Sequence, residues 1–354
     1  MKIKPMTKFA ILALSLVLVA CAGGGSEEAG CPAIDGREIN VVATTPMIGE
    51  FVSQVGGENI NLTVLMPPEA NPHTYEPAPQ DAGTIAEADL VFYTGLLYEP
   101  AALVKLLENS ACSTDILSEV GESVFPIEFK EGGHDDHDDH DDHDDEEGHD
   151  DHDDEEGHDD EEGHDDEEGH DDHEGHNHGA YDPHFWFDPS RVAYAAEYIE
   201  SRLIEFDPEN ESSYKSSADS FVSELNDLTK QVSELISTVP SQNRKLITTH
   251  ESLGYLEAKF GLEVLSTIIP SLNSANEISP SDLAGVIDVI EDNNVKVIFI
   301  ESEAPSVYSE TIVAETGIKP VTGLYVETLK PGQSYSEFLI SNVTLITENL
   351  QDTD

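Results

Sequence analysis

REINVVATTPMIGEFVSQVGG (residues 37–57) changes character halfway. Its first half, REINVVATT, is apolar and rich in β-branched residues, which suits a strand buried on both faces of a parallel sheet. Its second half opens with Pro46, spaces its apolar residues as a helix does and stops at two glycines. One strand followed by one helix does not make a fold. Repetition of the pair does, because alternating strands and helices build a parallel sheet with helices on its faces.

The pair recurs on both sides of the middle of the chain. INLTVLMP (60–67) and ADLVFYTG (88–95) read as strands, and EPAALVKLLENS (99–110) as a helix. Later, NRKLITTH (243–250), LEVLSTI (262–268), VKVIFIES (295–302) and KPVTGLYV (319–326) read as strands. ESLGYLEAKFG (251–261), SPSDLAGVIDVIEDNN (279–294), SVYSETIVAETG (306–317) and SYSEFLISNVTLITENL (334–350) read as helices between and after them. Between the two halves lie a helix capped by Asp188 and a longer one over 210–240. In the longer helix Tyr214, Phe221, Leu225, Leu228, Val232 and Leu235 recur at three- and four-residue spacing. The reading is therefore α/β: two lobes, each a mostly parallel sheet flanked by helices. The expected divisions are 36–207, a linking helix at 208–239, and 240–354.

The N-terminus reads as an export signal (1–20). Lys2, Lys4 and Lys8 lead into the apolar run from Phe9 to Ala20, too short to span a bilayer comfortably. The run ends in Leu18-Val19-Ala20-Cys21, which resembles the lipobox of bacterial lipoproteins, where the cysteine carries diacylglycerol. Residues 21–35 are then a lipidated, flexible leash. Export places the other two cysteines, Cys31 and Cys112, where a disulfide is permitted; they are free to pair or not.

The formal charge is −58. Residues 131–180 contain 28 carboxylates and 12 histidines with no Lys or Arg, and the rest still has 46 acidic against 16 basic residues. Such a balance excludes nucleic acid as a partner, and disfavours anionic lipid beyond the anchor. The tract repeats HDDEEG from His143, His152, His158 and His164. With no apolar face it cannot offset the entropy of folding, so it reads as a disordered loop inserted into the first lobe. Its histidines are His134, His137, His140, His143, His149, His152, His158, His164, His170, His173, His176 and His178. Mixed with carboxylates, they form an accessory weak metal loop that raises the local ion concentration. The alternative is an acidic solubilising insert.

Only three histidines lie outside the tract: His73, His184 and His250. A lone histidine is usually a surface or core residue. All three, however, fall at connections beyond strand ends, where open α/β sheets bind ligands. Three imidazoles suit zinc, and a carboxylate would complete a tetrahedron. Glu301 in VIFIES and Glu327 in LYVETLKPG are the carboxylates on offer.

NPHTYEPAPQD (71–81), DPHFWFDPSR (182–191), TTHESLGYLEAKFG (248–261), VKVIFIESE (295–303) and TGLYVETLKPGQSYSEFL (322–339) together resemble the zinc- or manganese-binding solute-binding lipoproteins of metal ABC importers, the cluster A-I or zinc-type periplasmic family. The resemblance implies two lobes joined by a rigid helix, metal held in the cleft, and a cognate ABC permease as partner. It implies His73, His184 and His250 as ligands, and Glu327 in the fourth position, where many relatives have aspartate. It gives Glu301 an outer role, fixing a ligand imidazole, or an alternative ligand role; water is the third choice for the fourth position. Manganese-binding relatives often have a carboxylate where His250 stands, so the expected cargo is Zn²⁺.

The expected function is thus extracytoplasmic zinc capture by a monomer, without catalysis. A manganese or other divalent-metal receptor is one alternative. A three-histidine zinc hydrolase with Glu301 as base is another, though no HExxH or G-x-S-x-G is present. A surface adhesin or metal-buffering lipoprotein is the third, and no separate adhesion module accompanies it.

Overall fold

A computed structural model describes residues 31, 34, 36–129, 181–269, 279–302 and 307–351. The export signal, Cys21, most of the leash and the histidine tract lie outside the described residues.

The opening stretch folds as its pattern demands. Strand β1 is Ile39–Ala43 and helix α1 is Pro46–Gly56. The Thr45 side chain accepts the Ile48 N–H at the start of α1, and Gly57 leaves it at positive φ. Then follow β2 (Ile60–Val64), α2 (Pro79–Ala86), β3 (Leu90–Tyr93), α3 (Ala101–Ser110) and β4 (Leu117–Glu119). The four strands form one parallel sheet in the order β2-β1-β3-β4. Helix α1 lies so close to β2 that a β-carbon on Gly49 would meet Val64 Cγ2 at 2.6 Å. Two elements of this lobe had no sequence signal: β4 has three residues with one apolar side chain, and α2 is eight residues of which only Asp81 and Ile85 are buried.

The second sheet contains β5 (Lys245–Thr248), β6 (Glu263–Thr267), β7 (Val297–Glu301) and β8 (Lys319–Leu324). Its order, β6-β5-β7-β8, repeats the topology of the first, and it too is parallel. Helices α6 (Gly254–Phe260), α7 (Pro280–Asp292), α8 (Val307–Thr316) and α9 (Tyr335–Gln351) accompany it. Helix α6 begins later than its sequence pattern suggested: residues 251–253 are non-helical, so Leu253 caps the helix rather than lining it.

Helix α4 (Pro189–Phe206) leads into α5 (Glu211–Ser237), whose 27 residues run for about 40 Å. Helix α5 buries Tyr214, Ala218, Phe221, Leu225, Leu228, Val232 and Ile236 along one face, against α1, α4 and α9. The result is one continuous apolar core that reaches from Val41 and Phe92 in the first sheet to Leu246 and Phe299 in the second. The two lobes are therefore fastened along a packed seam, and the long helix is part of both. No helix of the described residues is long and apolar enough to cross a membrane.

Candidate metal centre

In each sheet the chain leaves β1 or β5 toward one neighbour and returns on the other side, so a crevice opens beyond the carboxyl ends of the two central strands. His250 follows β5 and Glu301 ends β7, so the two meet at the crevice of the second lobe. Glu327 stands three residues beyond β8. From the first lobe come His73, in the connection after β2, and His184, ahead of α4.

The structure brings His73, His184, His250 and Glu327 together, with one ligand atom from each lying within 4.8 Å of all the others. The three Nε2 atoms converge on a single oxygen. Glu327 Oε1 is 3.1 Å from His73, 3.4 Å from His184 and 2.8 Å from His250. His184 and His250 Nε2 are 3.5 Å apart. Ligands about 2.0–2.1 Å from a zinc ion at tetrahedral angles lie about 3.3–3.4 Å from one another. The three distances to Glu327 and the His184–His250 distance fall around that spacing. His184, His250 and Glu327 are almost wholly buried and His73 slightly less so.

Two of the imidazoles are oriented from behind. His184 Nδ1 donates to Asp182 Oδ1 at 2.7 Å, and the same oxygen accepts the His184 main-chain N–H. His250 Nδ1 donates to Glu301 Oε2, while Glu301 Oε1 accepts the His250 main-chain N–H at 3.2 Å. The Glu301 main chain is fixed in turn, its N–H donating to the Thr249 hydroxyl oxygen at 3.0 Å. Each carboxylate keeps the proton on Nδ1 and turns Nε2 toward the centre. Glu301 thus faces the imidazole rather than the centre. His73 Nδ1 is buried with no hydrogen-bond partner among the described residues; its main-chain N–H is bonded to Asn71 Oδ1.

The charges are strongly coupled. Burial opposes an imidazolium at His184, but the Glu327 and Asp182 carboxylates outweigh it and raise the group to about 9. His250 is raised to about 10, with Glu301 and Glu327 overcoming burial. Burial likewise opposes ionised Glu327, yet the surrounding imidazoles hold it well below the usual carboxylate range. Without metal the cluster therefore stores protons, which a bound cation would displace.

Asp182 and Tyr98 escaped the sequence reading. Asp182 had a local signal, two residues before His184 in DPHFWFDP. Tyr98 had none: its hydroxyl reaches Glu327 across 229 positions of sequence. Among the aromatics, Phe185, Trp186 and Tyr255 are buried in the core, and Tyr75 and Tyr93 are half-buried against it. Trp186 Nε1 donates to the Val326 carbonyl and Tyr335 donates to the Trp186 carbonyl, which ties the His184 segment to the loop carrying Glu327. Cys31 and Cys112 form a disulfide.

Residues 41–349 match the family model described as zinc-uptake complex component A, periplasmic (ZnuA). The chain belongs to this family. It is therefore a non-catalytic, extracytoplasmic, metal-binding component of an ABC importer, and family membership implies a membrane permease as partner. Among curated relatives, the high-affinity zinc uptake system protein ZnuA of Bacillus subtilis is 27% identical over 97% of this chain and 96% of its own. The manganese ABC transporter substrate-binding lipoprotein PsaA of Streptococcus anginosus is 25% identical over 98% and 99%. The periplasmic zinc-binding protein TroA of Treponema pallidum shares the fold with a TM-score of 0.68, at 19% identity, over 88% of this chain and 99% of its own.

Proposed function

We propose that this protein captures Zn²⁺ outside the cytoplasmic membrane and delivers it to the permease of its importer. The observation that supports this reading is the convergence of three Nε2 atoms on one carboxylate oxygen of Glu327. Nitrogen-rich, four-donor sites suit zinc, whereas manganese favours oxygen-rich sites of higher coordination. Relatives bearing zinc and manganese names are similarly distant, so the donor set favours zinc where relatedness is neutral.

His73, His184, His250 and Glu327 are the ligands in this proposal, with Asp182 and Glu301 orienting two of them. Diacylglycerol on Cys21 anchors a monomer to the membrane. The continuous core across both lobes limits release to a small rocking or a shift of the ligand loops rather than a wide hinge.

The tract is an accessory. An antiparallel bridge between Glu128 and Tyr181 closes its base, and Asp182 N–H donates to the Ile127 carbonyl at 2.9 Å. The tract thus leaves and re-enters at one point, two residues from His184, and its removal spares the fold.

The test is zinc stoichiometry and affinity by chelator competition. Three proteins are compared: the mature chain, a version lacking residues 132–177, and that deletion carrying His250→Ala. One tight zinc that survives the deletion and vanishes with His250 supports the reading. Loss of all tight zinc on deletion alone makes the tract the functional element and overturns it.

A further inference from the structure

Tyr98 is not among the four clustered residues, yet it is buried against most of them. Its hydroxyl is 2.9 Å from Glu327 Oε2 and 3.0 Å from the Glu327 main-chain oxygen. Both are acceptors, so the phenolic proton is directed at Glu327. Its ring meets His73 edge-on at 5.1 Å, His184 at 6.0 Å and Trp186 at 5.3 Å. The Glu327 carboxylate is consequently divided: Oε1 faces three imidazoles, and Oε2 is held by a phenol from the other lobe.

The loop that carries Tyr98 is built to hold it still. Residues 94–98 cross the switch point of the first sheet, between β3 and α3. Thr94 and Gly95 N–H donate to Glu99 at 2.7 and 2.9 Å, and the Thr44 hydroxyl donates to the same carboxylate at 2.7 Å. Leu96 N–H donates to Glu119 at 2.9 Å, and Tyr98 N–H to the Gly95 carbonyl at 2.9 Å. Within this frame Gly95, Leu96 and Leu97 have φ of 77°, 54° and 60°. Two consecutive leucines at positive φ are disfavoured by their β-carbons, and persist only where surrounding bonds over-determine them. Here those bonds fix the residue that precedes Glu99, and so place the phenol.

We propose that Tyr98 is a positioning residue that determines metal specificity: by occupying Oε2 it limits Glu327 to one donor atom, which keeps the site at four ligands. A carboxylate free at both oxygens can chelate, which raises coordination number and oxygen content toward what manganese takes. This rests on the zinc reading above, and refines it.

The test uses the full mature chain with Zn²⁺, Mn²⁺ and Co²⁺ as probes, comparing wild type, Tyr98→Phe and Glu327→Asp. Phenylalanine keeps the ring and removes the hydroxyl; aspartate draws the carboxylate back from the phenol without altering Tyr98. In both variants the Mn²⁺/Zn²⁺ affinity ratio should rise about ten-fold. The d–d absorption of the Co²⁺ form should weaken as four-coordination gives way to five or six. Glu327→Gln added to Tyr98→Phe leaves one carboxamide oxygen and should cancel the gain. An affinity ratio within about two-fold of wild type in Tyr98→Phe overturns the proposal, as does a folded variant that loses zinc without gaining manganese. Wild type that binds no zinc tightly sinks the zinc reading itself; wild type that binds zinc beside an unchanged Tyr98→Phe sinks the role of Tyr98 only.

Discussion

Gly254 lies directly against the carboxylate of Asp182: a β-carbon there would sit 2.6 Å from Oδ2. Gly254 is the first residue of α6, where alanine would ordinarily favour the helix. Asp182 has little room to yield, because it is buried and its Oδ1 holds both the main chain and the ring of His184. Gly254→Ala should therefore lower thermal stability and weaken zinc about ten-fold, by turning His184 off line. Unchanged zinc affinity in a chelator competition would mean that Asp182 can move without consequence.

Asp182→Asn removes the charge that supports the His184 ring and leaves its shape. Zinc affinity should fall about ten- to a hundred-fold, with the circular dichroism of the fold retained. Burial opposes a charged His184 and the carboxylates sustain it, so the same substitution should lower the His184 pKa from about 9. NMR titration of the metal-free imidazole reads that shift directly.

What could be read in the sequence, and what could not, follows from how local each signal is. Strands β1 and β7 are runs of β-branched and aromatic residues because both faces are covered, and that composition is visible in five residues. His250 and Glu301 could be singled out because each ends such a run. The pairing of Glu301 with His250 Nδ1 needs β5 and β7 to be neighbours, which the order β6-β5-β7-β8 supplies and the linear pattern does not. Tyr98 is harder still. Its neighbours Leu96 and Leu97 fall between the strand and helix patterns, in a left-handed turn held by two glutamates. Contact between the lobes is what brings its hydroxyl to Glu327.

The disulfide should matter for stability and not for metal. Cys31 and Cys112 are 81 positions apart; restricting the unfolded chain by a loop of that length is worth at most about 4.5 kcal/mol, and disulfides typically deliver about 2–4 kcal/mol of such a limit. Cys112 follows α3, which returns the chain from the carboxyl end of β3 to the start of the parallel strand β4, the side of the sheet away from the crevice. Replacing both cysteines by serine should lower the unfolding free energy by about 2–4 kcal/mol in a denaturant titration and leave zinc affinity within about two-fold. A large loss of affinity would link the N-terminal segment to the site.

Zinc binding should expel protons, because the same nitrogens hold both. His184 at about 9 and His250 at about 10 are protonated near neutrality in the metal-free cluster: burial works against them, and Glu327, Asp182 and Glu301 prevail. Metal on Nε2 displaces those protons, while the Nδ1 protons stay on Asp182 and Glu301. Calorimetry at about pH 7.5 in buffers of different ionisation enthalpy should therefore report about two protons released per zinc. Stability of the metal-free protein has the opposite trend. A raised imidazole pKa contributes stability that is complete below the ordinary value of 6.5 and is lost as pH climbs through 9 to 10. The lowered pKa of Glu327 contributes above its ordinary 4.5, and that contribution is lost as pH falls through its depressed value. At fixed free zinc the rise in Tm on binding should then grow from about pH 6 to about pH 9, as proton competition fades and the metal-free state weakens. A constant increment with no proton release would show that both imidazoles are already neutral before zinc arrives.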